Sequence, residues 1–165
     1  MCGIAGCFSH GEIGIEIVES MFDHIVMRGR DACGIAVYKD SEWYVAKTPG
    51  SWLLPKNKAF IKNIVGDIKP TSVIVHVRQA THGSADNNDN NHPILGEKSF
   101  LVHNGIVHTD KKYNCVGQTD TEQMVMALED KGIECGLNSI IGSYAIMRVE
   151  YDKPDKIQIT RNYSS

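Results

Sequence analysis

The sequence has no apolar run near the roughly 20 residues that a membrane-spanning helix needs. Its N-terminus carries no basic stretch leading into an apolar one, so neither a membrane span nor a signal peptide is expected. It also lacks a basic patch: 17 Lys and Arg stand against 20 Asp and Glu, mixed along the chain, for a net charge of −3. A nucleic-acid-binding face would concentrate positive charge, so none is expected. The cysteines are unpaired in pattern. Cys2, Cys7, Cys33, Cys115 and Cys135 are odd in number and form no CxxC pair. That argues against a disulfide framework and for free thiols in a reducing cytoplasm. Seven histidines are present, but none falls in HExxH or another zinc-ligand spacing, so no metal or other cofactor is expected. There is no internal repeat and no linker. One domain over residues 1–165 is therefore expected, a length that can bury a real core.

The apolar pattern gives the elements. Residues 2–8 read as a buried strand closed by the turn Ser9-His10-Gly11. Ile13, Ile17, Met21 and Ile25, with Val18 and Phe22 alongside, recur at helical spacing and predict a helix from Ile13 to about Met27. Ile35–Tyr38 and Trp43–Lys47 flank the polar turn Lys39-Asp40-Ser41 and predict a hairpin. Residues 49–57 read as a loop holding Trp52, with a short helix through Phe60–Val65. Thr71–Val77 is a β-branched strand, and residues 85–93 are almost pure turn chemistry. Ser99–Val102 reads as a strand that stops at His103-Asn104-Gly105. Thr119 and Glu122 fit a capping box for a helix reaching about Asp130. Ser143–Glu150 and Lys156–Thr160 close the chain as two strands. Antiparallel hairpins with helices between them predict an α+β fold of packed sheet layers.

Four places could carry chemistry. Cys2 follows the initiator methionine directly. Removal of Met1 would leave one residue with a thiol and a free α-amine whose pKa is about 7.7–8.0, a nucleophile beside its own base. With Met1 retained, that nitrogen is an amide and cannot serve as a base. Cys2 equally reads as a small apolar strand residue. Arg78, at a strand end, could clamp a carboxylate bidentately, or simply form a surface ion pair. Asn104-Gly105 offers a side-chain amide next to an unhindered N–H, two donors that could meet a developing oxyanion; the same dipeptide is also a favoured hairpin turn. Asp120, in a first helical turn, could bind an ammonium or complement the helix dipole.

Taken together and in order, the motifs resemble one family. CGIAG at Cys2–Gly6, RGxDxxG at Arg28–Gly34, HxRxATHG at His76–Gly83, NHP at Asn91–Pro93, HNGI at His103–Ile106 and TDTE at Thr119–Glu122 are similar to those of class II glutamine amidotransferases, the glutaminase domain of the N-terminal-nucleophile (Ntn) hydrolases. The resemblance implies a four-layer αββα sandwich with two stacked, mainly antiparallel sheets. It also implies hydrolysis of L-glutamine to glutamate and ammonia. In it Cys2 would attack the side-chain amide, with its freed amine as base. Asn104 and Gly105 would form the oxyanion hole. Arg78 would hold the α-carboxylate of glutamine and Asp120 its α-ammonium. Thr81 and His82 would line the pocket, and Arg28 would fix the N-terminal segment.

Gln79 departs from the pattern, standing where relatives often carry a tryptophan on a loop that closes over glutamine. No acceptor domain follows in this chain, which stops at Arg161-Asn162-Tyr163-Ser164-Ser165. The expectation is a stand-alone glutaminase domain passing ammonia to a separate synthetase or transferase subunit in trans, with a homo-oligomer compatible with the sequence. A free glutaminase and a truncated product are the other readings of the missing acceptor domain. Another Ntn amidohydrolase and a silent, partner-binding relative are the alternative functions.

Overall fold

The structure, a computed structural model, describes residues 1–110 and 112–163. Ser164 and Ser165, the end of the expected domain, lie outside the described residues. Among the described residues the strands are β1 (Gly3–Phe8), β2 (Ala32–Lys39), β3 (Glu42–Pro49), β4 (Ser72–Arg78), β5 (Ile94–Leu95), β6 (Ser99–Thr109), β7 (Ile140–Glu150) and β8 (Ile157–Arg161). The helices are α1 (Ile15–Ile25), α2 (Pro55–Ile68), α3 (Asp120–Lys131) and α4 (Ile133–Asn138). Two four-stranded sheets form, in the orders β1-β4-β2-β3 and β5-β6-β7-β8, with every pairing antiparallel.

Strand alternation sets the layers, because successive side chains leave a strand on opposite faces. On β2, Cys33, Ile35 and Val37 face one way, and on β4 so do Val73, Val75 and Val77. They pack on Val18, Phe22 and Ile25 of α1 and on Ile61 and Val65 of α2. The opposite parity, Ala36 and Ile74, meets Phe100, Val102 and Val149 of the second sheet. The far face of that sheet, with Leu101, Val107, Tyr144 and Ile146, packs on Met124, Val125 and Leu128 of α3. The result is a helix–sheet–sheet–helix sandwich, the expected α+β architecture.

Several local readings change. The strand at residues 3–8 is an edge strand, partly covered, with Phe8 46% exposed. The buried face of α1 is Val18, Phe22 and Ile25, while Ile17 is 46% exposed. Residues 49–57 are anchored. Trp52 is fully buried and stacked on Phe22 with centroids 4.4 Å apart, and its indole N–H donates to Asp23 Oδ1 at 2.8 Å. Helix α2 begins at Pro55, a residue suited to a first helical turn, whose N–H has no intrahelical partner to lose. The hairpin-turn reading of Asn104-Gly105 fails: both lie inside the 11-residue β6, opposite Ala145 and Tyr144 of β7. Among the described residues no helix is long and apolar enough to cross a membrane.

Candidate active site

Cys2 stands one step before β1, whose first pair is Gly3 with Val77. Continuing the antiparallel register brings Cys2 level with the end of β4, at Arg78 and Gln79. The contacts agree. The Gln79 N–H donates to Cys2 Sγ at 3.4 Å, and the thiol donates to Gln79 O at 3.7 Å. From behind, Arg28 Nε donates to Cys2 O at 2.9 Å. Burial pushes the Cys2 thiol above its ordinary value, opposed by the Gln79 N–H, the nearby N-terminal amine and Arg78, while Asp120 adds to the rise. Met1 precedes Cys2 in the chain, so the nitrogen of Cys2 is here a peptide amide.

Cys2, Thr81, Asn104 and Gly105 line one cavity of about 210 Å³, together with Gln79 and Ile106. Asn104 is buried, and Gly105 has φ 145°, a backbone conformation that L side chains rarely adopt. A Cβ on Gly105 would also collide with the Ser143 carbonyl oxygen across the β6–β7 ladder. The strand thus presents an amide side chain and a bare backbone segment to the cavity that holds the thiol. His82 and Asp120 line a second, larger cleft of about 630 Å³, with Gln118 and Gln123. Asp120 opens α3, where Thr119 caps the helix by accepting from the Glu122 N–H at 3.3 Å. Its carboxylate accepts from the Val107 N–H of β6 at 2.9 Å. The Glu122 carboxylate does not close a capping box; it accepts from the N–H groups of Val116 and Gly117.

Arg78 lines neither cavity. It is 3% exposed, and its guanidinium donates to Asn91 Oδ1 and to the carbonyls of His82 and Gly83. Desolvation lowers its pKa, and the charges of Cys2, Asp31 and Asp120 raise it. Thr81 and His82 are exposed on the loop after β4.

Sequence reasoning gave no role to several residues that build this site. Asp31 Oδ2 accepts from the Ala80 N–H at 2.7 Å and from Gln79 Nε2 at 3.0 Å, holding the backbone that touches the thiol. Gln79 is thereby tied down on its own side of the site. Gly34, on β2, lies so close to the loop after residue 84 that a Cβ would collide with the His92 carbonyl oxygen. The rings of His76, His92 and His103 form a buried group: His76 and His92 centroids are 4.1 Å apart. Thr121 Oγ1 lies 3.0 Å from His92 Nε2 and 2.9 Å from His103 Nδ1, and His76 Nε2 donates to His103 O at 3.1 Å. Burial holds all three below the ordinary imidazole value, His76 to about 3. Neutral histidine is thus the packed form. Strand parity was the available signal, since His76 and Arg78 share the β4 face of buried Ile74. Among the described residues, no group of three or more His, Cys, Asp or Glu is placed to hold a metal ion.

The family described as "Glutamine amidotransferases class-II" matches residues 1–133 of the chain. Among curated proteins, the glutamine–fructose-6-phosphate aminotransferase (isomerizing) of Clostridium tetani is 30% identical over 182 aligned residues, covering 99% of this chain and 29% of that protein. Its counterpart in Shouchella clausii is 31% identical with the same coverage. The chain thus spans less than a third of the length of these relatives. Among solved structures, the glutamine phosphoribosylpyrophosphate amidotransferase from B. subtilis superposes with a TM-score of 0.69 at 16% identity, over 98% of this chain and 37% of that one. A structure described as the allosteric regulatory enzyme of purine biosynthesis gives 0.66 at 20% identity, over 92% of this chain and 36% of that one. The sandwich is that of the Ntn-hydrolase amidotransferases, and by sequence match and fold alike the chain belongs to the class II glutamine amidotransferases.

Proposed function

We propose that this chain, acting as one glutaminase unit after loss of Met1, hydrolyses the side-chain amide of L-glutamine. The freed α-amine of Cys2 takes the thiol proton, directly or through a water, and the sulfur attacks the amide carbon. A base is needed because the buried thiol is held protonated beyond its ordinary range. The tetrahedral oxyanion is received by the Asn104 side-chain amide and the Gly105 N–H. One such donor is worth roughly 10²–10³-fold in rate. Collapse breaks the C–N bond, the amine returns its proton to the leaving nitrogen, and ammonia departs from a thioester. Water then attacks the thioester, releasing glutamate and the thiol.

Arg78 binds the substrate α-carboxylate and Asp120 its α-ammonium, the complementary pair for a zwitterionic amino-acid end. Thr81 and His82 line the pocket, and Arg28 keeps the N-terminal segment in place through the Cys2 carbonyl. The ammonia passes to an acceptor subunit in trans. The observation that carries this reading is the single cavity lined by Cys2, Asn104 and Gly105. The test is glutamate release from glutamine by protein whose Met1 removal is confirmed by intact mass, beside a Cys2→Ala control. Turnover lost in the control supports the reading; no turnover from processed protein, alone or with candidate acceptor subunits, refutes it.

A further inference from the structure

We infer that Asn91 is a positioning residue for Arg78, setting the guanidinium that receives the substrate carboxylate; this rests on the glutaminase reading above. Asn91 lies in the asparagine-rich segment after β4 and is fully buried. Its side-chain amide is held on the nitrogen side: Nδ2 donates to Ala85 O at 2.7 Å and to Asn88 Oδ1 at 3.0 Å. Both amide protons are thus used, which fixes which end of the amide is oxygen. That oxygen points at Arg78 and accepts from Nη1 at 2.9 Å. A flipped amide would set N–H against N–H at Arg78 and one acceptor against two acceptors behind it.

The backbone of Asn91 is held as firmly. Its N–H donates to Asn88 O at 3.0 Å, and its carbonyl accepts from Lys47 Nζ at 2.9 Å. Nη2 of Arg78 is meanwhile turned onto the carbonyls of His82 and Gly83. A guanidinium has five N–H donors in a rigid plane. Three are taken by the protein in fixed directions, which holds the plane and leaves the Nε–H and one Nη1–H as the donors for the substrate. All three protein acceptors are neutral. The positive charge is therefore oriented without being cancelled, which is what a receptor for a carboxylate requires.

The test compares processed wild type with Asn91→Ala and Asn91→Asp. Three readouts are used: steady-state kinetics on L-glutamine, the same on 4-aminobutanamide, which lacks the α-carboxylate, and NMR of the arginine guanidinium signals. For Asn91→Ala the expected result is a KM for glutamine raised about tenfold, the worth of one charge-assisted hydrogen bond. Its kcat stays within about twofold, the rate on 4-aminobutanamide is unchanged, and the Arg78 η signals average through faster rotation. Asn91→Asp keeps an acceptor, so the guanidinium stays fixed, yet KM rises further because the new carboxylate competes with the substrate's. Equal losses on both substrates, or guanidinium signals unchanged in Asn91→Ala, overturn the inference. Absence of glutamine turnover in processed wild type overturns the glutaminase reading and with it the assigned ligand. The NMR comparison then still decides whether Asn91 holds Arg78.

Discussion

Acid should unfold this protein through its histidines. His76, His92 and His103 are buried and held below the ordinary value of 6.5 mainly by desolvation, with Arg78 and Lys47 also disfavouring charge on His92 and Asp120 partly favouring it on His103. The folded state therefore binds fewer protons than the unfolded chain once pH falls below 6.5. By linkage, stability is complete above the unfolded value and declines as pH drops toward the folded values, about 3 for His76. At pH 5 the unfolded imidazole lies 1.5 units above ambient pH, worth about 2 kcal/mol for each ring that stays neutral in the fold. His76 and His92 together then cost about 4 kcal/mol, a large part of the roughly 5–15 kcal/mol a domain possesses. Urea unfolding at pH 7, 6 and 5 with an unchanged m-value measures this directly. A stability that stays flat between pH 6.5 and 5 would refute the reasoning.

Three other perturbations test the remaining architecture. Gly105→Ala places a Cβ against the Ser143 carbonyl at a positive φ, and should cost about 2–3 kcal/mol in denaturant unfolding and more than about 10²-fold in turnover. Trp52→Ala removes a fully buried indole stacked on Phe22 and should cost about 3–5 kcal/mol by urea titration while KM stays near wild type. Asp31→Ala releases the Gln79–Ala80 backbone from its carboxylate and should lower kcat about 10–100-fold with little change in unfolding midpoint, as expected for a misplaced nucleophile.

The elements that periodicity marks strongly were legible. The β-branched run at residues 71–77 became β4, and the polar turn at residues 39–41 joins β2 to β3. The misses have physical causes. Asn104-Gly105 carries a turn signal, but β7 supplies partners on both sides of it, and the ladder overrides the local preference. On α1 the buried residues are spaced by four and three from Val18, so the stripe runs one residue away from the Ile13-Ile17-Met21 series. Ile13 is buried from outside the helix, its N–H bonded to Pro70 O. Helix α4, six residues with Gly136 inside, has no repeat to announce it. For the site, the motifs located four residues that line one cavity, Cys2, Thr81, Asn104 and Gly105, while His82 and Asp120 line a second cleft and Arg78 lines neither. The supports, Asp31, Asn91 and the buried imidazoles, depend on which backbone atom lies opposite, which a linear spacing does not encode.

The Thr121 hydroxyl has one proton to share between two imidazoles. It can donate to one ring only, so the other must donate to it, and His92 and His103 cannot choose their tautomers independently. The pair has a direction, and changing the state of either ring reverses the hydroxyl between them. The direction runs on into the first sheet, because His76 Nε2 donates to the carbonyl of His103, so the three rings and one hydroxyl form a single chain of contacts from β4 to α3.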